Sequence, residues 1–439
     1  GIVFFPDGEY RLTGSLTLNT GVELRGNSED RFQASDKQYG SMILVDFGAG
    51  DPNGTAFITM GDYCGLRGLC FYYPNQTWTA GRSNPFVEYS FTVRANGRKN
   101  YMIHCFNPNP YQGVELNGDD HLIDASDFGG IRRVFSANNC SGGRVQLLHV
   151  KPGFQKNITG ETDTDAAELD AVSLGMETFH IKNCDNHTIY NVFARHAYTL
   201  FTADNSGGQV CDLNGEGCQQ GFLFKNGNKT YNLINPGNNH NFFGTRPECA
   251  SFKTFEGFKG EARIFDASIR HMPDECYTAE DGLLFVQGGG MAGEALGIFC
   301  RTNGTLIMEG NGQKDLVGFE NEGSVFMKDC GFDPWVNKHI NEYMLNNDVS
   351  ETMILCDSNW EPVRNFGLKL NESNIKKPMP TVLVGPERMK VARSTDNTYS
   401  LDVTDPGFIN GNRKAVDFVL RWYSKNDCKV DVYYHSTTG

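Results

Sequence analysis

Apolar and polar residues alternate along several short segments of the chain, and each of these segments ends in a polar bend. Within residues 133–138, 177–182, 199–204 and 220–225, every second side chain is apolar and those between are mostly polar. The apolar positions are Phe135 and Ala137, Phe179 and Ile181, Phe201 and Ala203, and Phe222 and Phe224. A period of two is typical of β-strands with one buried face. The pattern predicts strands whose phenylalanines stack in one interior column.

An asparagine followed by Cys, Ser or Gly closes these strands and recurs along the chain. It stands at Asn117, Asn139, Asn183, Asn205 and Asn226, and the same frame continues at Ala267, Gly288, Gly310 and Asp329. Successive positions are about 21 residues apart, or about twice that number. A period of this length is typical of one coil of a solenoid. Asparagine tolerates left-handed backbone, and stacked asparagines can hydrogen bond to one another, which suits a bend repeated from coil to coil.

Glycine-flanked apolar segments link this solenoid to a known architecture. The segments Gly1–Tyr10, Gly21–Gly26, Gly65–Phe71 and Gly323–Cys330 resemble coils of the pectate-lyase-like right-handed parallel β-helix superfamily. The resemblance covers roughly residues 1–370 and implies an all-β fold, a right-handed single-stranded parallel β-helix with a small C-terminal β element. It also implies a carbohydrate ligand, although the superfamily includes lyases, hydrolases, tailspikes and structural proteins.

The motifs of two well-known activities in this superfamily are incomplete or missing. The Ile-Asp-His and Arg-x-Pro-x-x-Arg motifs of pectate lyases do not occur, and of the polygalacturonase motifs only Asp119-Asp120 is present. Both specificities are therefore disfavoured.

Three segments are predicted along the chain. The β-helix takes residues 1–375, the linker takes residues 376–380 with the sequence Lys-Lys-Pro-Met-Pro, and residues 381–439 form a C-terminal β cap or accessory element. An acidic insertion at 157–176 and a long excursion at 235–259 interrupt the central coils.

Composition narrows the partners. A formal net charge of −14 argues against nucleic acid and anionic membranes, and it slightly favours neutral sugars over polyanionic ones. The sequence contains no run of about 20 apolar residues, which is the length that a membrane-spanning helix needs. Thirteen cysteines, an odd number, favour buried thiols over a disulfide framework. We expect a secreted or cell-surface protein whose signal peptide lies outside this sequence, as fold and ligand class suggest.

The candidate catalytic residues lie on the outward column just before the bend. Lys182, Asp204 and Lys225 should be consecutive neighbours about 4.8 Å apart. An aspartate between two lysines suits a nucleophile or a general base, and a glycoside hydrolase then needs a second, protonated carboxyl group. The acidic insertion offers Asp163 and Asp165 for that role. A glycoside hydrolase acting on a neutral or mixed glycan is the favoured function, and a ladder of surface ion pairs is the alternative reading of the column.

A polysaccharide lyase is the second hypothesis for the same coil. In a β-elimination, a basic side chain takes the proton and cations neutralise the neighbouring uronate. His180, Lys182 and Arg195, followed by His196, could supply these groups. Against this hypothesis, Asp163 and Asp165 could merely bind calcium; no other cofactor is predicted.

Aromatic residues in predicted loops are candidate sugar-stacking positions, since sugar rings pack on exposed aromatic faces. Tyr72, Trp78 and Trp335 are predicted to bind substrate together with Lys225. The alternative interpretation is that each of these aromatic rings anchors its loop.

A structural or adhesive β-helix is the third hypothesis. Leu223, Ile264, Phe285, Ile307 and Phe326 would form an outward apolar stripe if the frame held throughout the chain. Such a stripe would be covered by residues 381–439 or by identical chains, which makes it the candidate contact of a homotrimer.

Overall fold

The computed structural model describes most of the chain up to residue 332 and short strands beyond it. The described residues are 1–27, 40–76, 86–155, 175–239, 249–270, 275–292, 295–313, 316–328, 331–332, 353–356, 362–364, 368–370, 382–384, 389–391 and 401–403. The chain divides into two compact units, Gly1–Val363 and Arg364–Gly439. The predicted linker at 376–380 lies outside the described residues, so the predicted domain boundaries stay a prediction.

The first unit consists almost entirely of short parallel strands. In chain order the strands are Ile2–Phe4, Gly8–Leu12, Leu16–Leu18, Glu23–Arg25, Ser41–Val45, Ile58–Met60, Gly65–Arg67, Leu69–Tyr72, Phe91–Ala95, Tyr101–Ile103, Phe106–Asn107, Gln112–Leu116, Leu122–Asp124, Asp127–Phe128, Arg133–Asn138, Arg144–Val150, Glu177–Lys182, His187–Arg195, Thr199–Asp204, Gly208–Glu216, Gln220–Lys225, Thr230–Ile234, Gly237–Asn239, Ala250–Thr254, Glu261–Phe265, Ser268–Arg270, Glu275–Gln287, Gly290–Ala292, Ala295–Glu309, Gly312–Gln313, Leu316–Asn321, Ser324–Lys328, Gly331–Phe332, Met353–Cys356 and Pro362–Arg364. A single 3-10 helix, Pro152–Gln155, is present among the described residues.

Each coil contributes strands to three parallel faces, which we call A, B and C in chain order. Face A begins with Ile2–Phe4 and Glu23–Arg25, face B with Gly8–Leu12 and Ser41–Val45, and face C with Leu16–Leu18 and Ile58–Met60. Later coils keep this order, and some long strands bend from one face to the next. The paired strands of this unit run parallel to their partners in the next coil, which confirms the predicted solenoid.

The interior of face C holds the predicted aromatic column. Phe135, Phe179, Phe201 and Phe222 pair in successive coils, and each is at most 1% exposed. The rings of Phe135 and Phe179 are parallel, with centroids 5.2 Å apart. The column continues through Phe252 and Tyr277, which are also buried. The prediction that these phenylalanines are vertical neighbours is confirmed.

The bend after face C is an asparagine ladder. Asn139, Asn183 and Asn205 adopt left-handed φ angles of 53°, 55° and 48°. Asn183 Nδ2 donates to Asn139 Oδ1 at 3.1 Å, and Asn205 Nδ2 donates to Asn183 Oδ1 at 2.8 Å. Stacked beside this ladder, Cys140 and Cys184 lie with their Sγ atoms 3.5 Å apart as buried free thiols.

The predicted frame is wrong at two places. Leu116 pairs with Ala137, so Asn117 is aligned with Asn138 and not with Asn139. After Asn226 the frame moves from face C to face A, because the equivalent coil of face C is formed by Ala250–Thr254, whereas Ala267 follows a face A strand.

The predicted apolar stripe is a consequence of that shift, and it does not exist as one surface. Leu223 lies on face C beside Lys253, whereas Ile264 points into the interior of face A and is 0% exposed. Phe285, Ile307 and Phe326 do share one column of face A. The homotrimer therefore stays a prediction for which this stripe supplies no contact surface.

The second unit contains two antiparallel pairs among its described residues. Leu368–Leu370 pairs with Leu401–Val403, and Val382–Val384 pairs with Met389–Val391. The second pair and Leu401–Val403 lie within residues 381–439, for which the sequence predicts a small β element, whereas Leu368–Leu370 lies in the part that the sequence assigns to the β-helix. The described part of the chain includes no helix long and apolar enough to cross a membrane.

Candidate functional site

The outward side of face C carries the residues that the sequence singled out. Lys182 pairs with Asp204, and Asp204 pairs with Lys225, so the three are consecutive neighbours along the solenoid. Their predicted adjacency is confirmed. We call Lys182, Asp204 and Lys225 the edge column, because they end their strands at the corner between faces C and A.

Two neighbours hold the Asp204 carboxylate. Lys182 Nζ lies 3.9 Å from Oδ2, and Asn226 Nδ2 donates to Oδ1 at 2.8 Å. The side chains of Lys182 and Asp204 are 51% and 19% exposed. The carboxylate is therefore positioned from two sides and still open to solvent.

In the coils of Asp204 and Lys225, the outer side of face C is buried at the middle of the strands. Thr202 and Leu223, two residues before the ends of their strands, are only 1% and 5% exposed. On the outer side of face C in these two coils, the accessible side chains are thus those of the edge column, which is where a ligand could contact the protein.

His180 is tied to a carboxylate at the start of its own strand. Its Nδ1 lies 3.3 Å from Glu177 Oε1, and Arg133 Nε of the preceding coil donates to Glu177 Oε2 at 2.8 Å. Burial opposes ionisation of Glu177, but the hydrogen bond with His180 and the charge of Arg133 outweigh it and lower its pKa to about 2. Glu177 is an ionised structural partner and cannot serve as a protonated acid near neutral pH.

An aromatic ring that the sequence pattern did not predict extends the edge column. Phe255 follows Thr254, the residue that pairs with Phe224, so it lies one coil beyond Lys225. Lys225 Nζ is 4.8 Å and Lys253 Nζ 5.1 Å from the centroid of its ring.

Two glutamates lie beside this ring and share one lysine. Lys253 Nζ is 3.0 Å from Glu275 Oε2 and 2.9 Å from Glu280 Oε1. Burial opposes the charge of Lys253, but the hydrogen bonds and charges of the two glutamates outweigh it and raise its pKa. The ammonium thus stays protonated and fixes both carboxylates.

Arg195 and His196 lie at the end of a face B strand, away from the edge column. Arg195 ends the face B part of its strand and forms an ion pair with Glu216 at 3.8 Å. His196 follows at a left-handed φ of 57° and is 2% exposed. The structure therefore does not bring these two residues onto the outer side of face C with His180 and Lys182.

The remaining candidates fall outside this groove or outside the described residues. Tyr72 is half-buried on face B, paired with Leu44. Asp163, Asp165, Trp78 and Trp335 lie outside the described residues. The predicted calcium ligands Asp163 and Asp165 thus stay predictions, and the described residues contain no group of three side chains suited to a metal ion.

Chain connectivity favours face C as a binding surface. Residues 77–85, 156–174, 240–248 and 271–274 each join a face B strand to the next face C strand. In repeat proteins, insertions that recur at one corner often border the binding face. The acidic insertion re-enters the described chain at Gly175, just before Glu177 on face C.

Comparison with known proteins finds likeness in structure only. No protein-family model and no curated protein matches the chain. The chain is similar to DFA-IIIase from Arthrobacter chlorophenolicus A6 without its lid, with 9% identity, a TM-score of 0.48, and coverage of 76% of this chain and 88% of that one. It is also similar to an exopolygalacturonase from Thermotoga maritima, with 9% identity, a TM-score of 0.39, and coverage of 76% and 84%.

A third similar structure is a polygalacturonase from Erwinia carotovora ssp. carotovora, with 10% identity, a TM-score of 0.36, and coverage of 76% of this chain and 89% of that one. These likenesses concern the fold. The fold is a parallel β-helix, as the register of its successive strands shows and as the sequence predicts. A function for this chain has to be argued from its own residues.

Proposed function

We propose that this protein is a secreted glycoside hydrolase that holds a neutral or mixed glycan along the outer side of face C. The observation that carries the proposal is the edge column: a positioned, accessible carboxylate at Asp204 with a lysine on either side and an aromatic ring one coil further on. A glycan running along the solenoid axis would meet these groups one after another.

Each group has a role that its chemistry supports. Asp204 would act as the nucleophile or general base. Lys182 and Lys225 would donate hydrogen bonds to sugar hydroxyls, and Phe255 would pack against a sugar ring.

The protonated carboxyl group would come from the acidic insertion, where Asp163 and Asp165 are the candidates. A carboxyl separation of about 5 Å from Asp204 would give retention of configuration, and one of about 6.5–9.5 Å would give inversion. The contacts of Asp204 are with Lys182 and Asn226, so the second carboxyl group is assigned to the insertion as part of the proposal.

The test is Asp204→Asn, which keeps the size of the side chain and an oxygen that can accept from Asn226. Release of reducing ends from a panel of neutral polysaccharides should fall by about three orders of magnitude or more. The melting temperature should stay within a few degrees, because the ion pair with Lys182 is largely solvated.

Asp185→Asn is the matched control, since Asp185 is an aspartate at the corner after face C that also pairs with a lysine, Lys229. This variant should keep full activity. Undiminished turnover in Asp204→Asn would reject the assignment. An unsaturated product absorbing in the ultraviolet would replace the hydrolase with a lyase, and a chain that neither binds nor cleaves any glycan would favour a structural role.

A further inference from the structure

A second constellation of chemistry-bearing residues lies on face A of the first coils, away from the edge column. Glu23, Gly65, Tyr101 and Leu122 occupy one column of successive coils. Arg67 lies in the neighbouring column, two residues along its strand from Gly65. A surface cavity of about 370 Å³ opens here, lined by Arg67, Lys99, Asn100, Tyr101, Ile103, Asp120 and Leu122.

Gly65 allows the Tyr101 ring to lie flat on the sheet. A Cβ atom at Gly65 would stand 2.1 Å from Tyr101 Cζ, so any larger residue would displace the ring. In this position the Tyr101 hydroxyl reaches across one coil and donates to Glu23 Oε2. The ring is thereby fixed as part of the cavity wall.

Glu23 anchors the arrangement from beneath. It is 7% exposed, and Arg25 Nε donates to its other carboxylate oxygen. Burial opposes its ionisation, but the hydrogen bonds from Arg25 and Tyr101 outweigh it and lower the pKa of Glu23. Burial and the neighbouring Glu23 raise the pKa of Tyr101 to about 12, so the phenol stays protonated and keeps its hydrogen bond.

Cations border the ring. The Arg67 guanidinium carbon is 5.9 Å from the ring centroid of Tyr101, and the Arg67 side chain is 39% exposed. Lys99 is exposed at the corner that precedes Tyr101. Arg67 also forms an ion pair with Glu23, with 3.9 Å between Arg67 Nε and Glu23 Oε2, which is too long for a hydrogen bond. The hydrogen bonds of Glu23 come from Arg25 and Tyr101, so the N–H groups of Arg67 and the ammonium of Lys99 can donate to an anion, although the chain as a whole carries a net charge of −14.

We propose that this cavity is an accessory binding site for one acidic sugar residue of a glycan. The sugar ring would pack on the face of Tyr101, its carboxylate would accept hydrogen bonds from Arg67 and Lys99, and a hydroxyl would donate to Asp120 at the rim. The cavity volume lies within the range of small-ligand sites. The proposal does not rest on the hydrolase assignment, because no residue of the edge column takes part.

The experiment measures binding by calorimetry to the full chain, with a trimer of galacturonic acid as the probe and a trimer of galactose as its neutral counterpart. The acidic trimer should bind, and Arg67→Gln should weaken it about ten- to a hundred-fold, as expected for a hydrogen bond to a charged group. Raising the salt to about 1 M should weaken it as well.

Two further variants keep the test sharp. Gly65→Ala should weaken binding by displacing the Tyr101 ring, with both cations left in place. Arg263→Gln is the matched control, an exposed face A arginine many coils away that pairs with Glu261, and it should bind as the parent does. Equal affinity for the neutral trimer, unchanged affinity in Arg67→Gln, or no binding of the acidic trimer would each overturn the proposal.

Discussion

Replacing Glu177 with glutamine should remove a pH-dependent part of the stability. The carboxylate joins two coils, since it accepts hydrogen bonds from Arg133 of the preceding coil and contacts His180 of its own strand. The difference between its pKa of about 2 and the ordinary value of 4.5 corresponds to about 3 kcal/mol. The side chain is only 17% exposed, so solvent screens this interaction less than it screens a surface pair.

The sign of the effect is set by the lowered pKa. A carboxyl group that is more acidic in the folded state stabilises the fold fully above its unfolded pKa, and it loses that contribution as the pH falls through the folded value. Glu177 should therefore contribute about 3 kcal/mol at about pH 7 and progressively less between about pH 4.5 and pH 2.

The assay is urea unfolding of the parent and Glu177→Gln over this range of pH. The free energies of unfolding should differ by about 3 kcal/mol near neutrality and converge towards about pH 2. Glu261→Gln is the control, because its partner Arg263 lies on the open surface and the pair should contribute less than about 1 kcal/mol. Equal free energies of unfolding for the parent and Glu177→Gln at neutrality, or a difference that does not decrease in acid, would refute the argument.

The aromatic column and the asparagine ladder give two further predictions, both checked by urea unfolding. Phe201→Ala should lower the free energy of unfolding by about 3–5 kcal/mol, because it opens a cavity in the column. Phe193→Ala should lower it far less, because Phe193 is 38% exposed. Equal losses would mean that the column is not tightly packed. Asn205→Ala should lower the free energy of unfolding by about 1–2 kcal/mol, because alanine loses the hydrogen bond to Asn183 and disfavours a φ of 48°. Asn205→Gly should lower it less, because glycine adopts this φ without strain. The reverse order would show that backbone strain is not involved.

The part of the fold that could be predicted from sequence is the part that depends on local geometry. Side chains alternate in and out of a strand whatever the rest of the coil does, so the phenylalanine column was visible as a pattern. The left-handed bend at Asn183 and Asn205 was visible for the same reason, because few side chains tolerate that conformation. These two signals establish a solenoid and the adjacency of Lys182, Asp204 and Lys225.

The identity of a face is not local, and this is why the frame failed after Asn226. Asn235 and Asp266 also adopt left-handed φ angles, of 50° and 54°, but they stand at the bend between faces A and B. Two corners of each coil thus use the same turn chemistry, and all faces show the same alternation of side chains. Once a coil carries an excursion such as 240–248, counting residues cannot tell which corner comes next.

The functional consequence is a different neighbour for the candidate catalytic column. Counting from Asn226 skips one coil and assigns the residue before Ala267, which is Asp266, to the same column, whereas the register makes Phe255 the next neighbour of Lys225. A column of alternating charge would suit a solvated ion-pair ladder, but a carboxylate, a lysine and an aromatic ring in sequence suit a sugar chain. The cavity over Gly65 could not have been found from the sequence at all. Its shape depends on the absence of a side chain at Gly65, because the ring of Tyr101 from the next coil occupies that space.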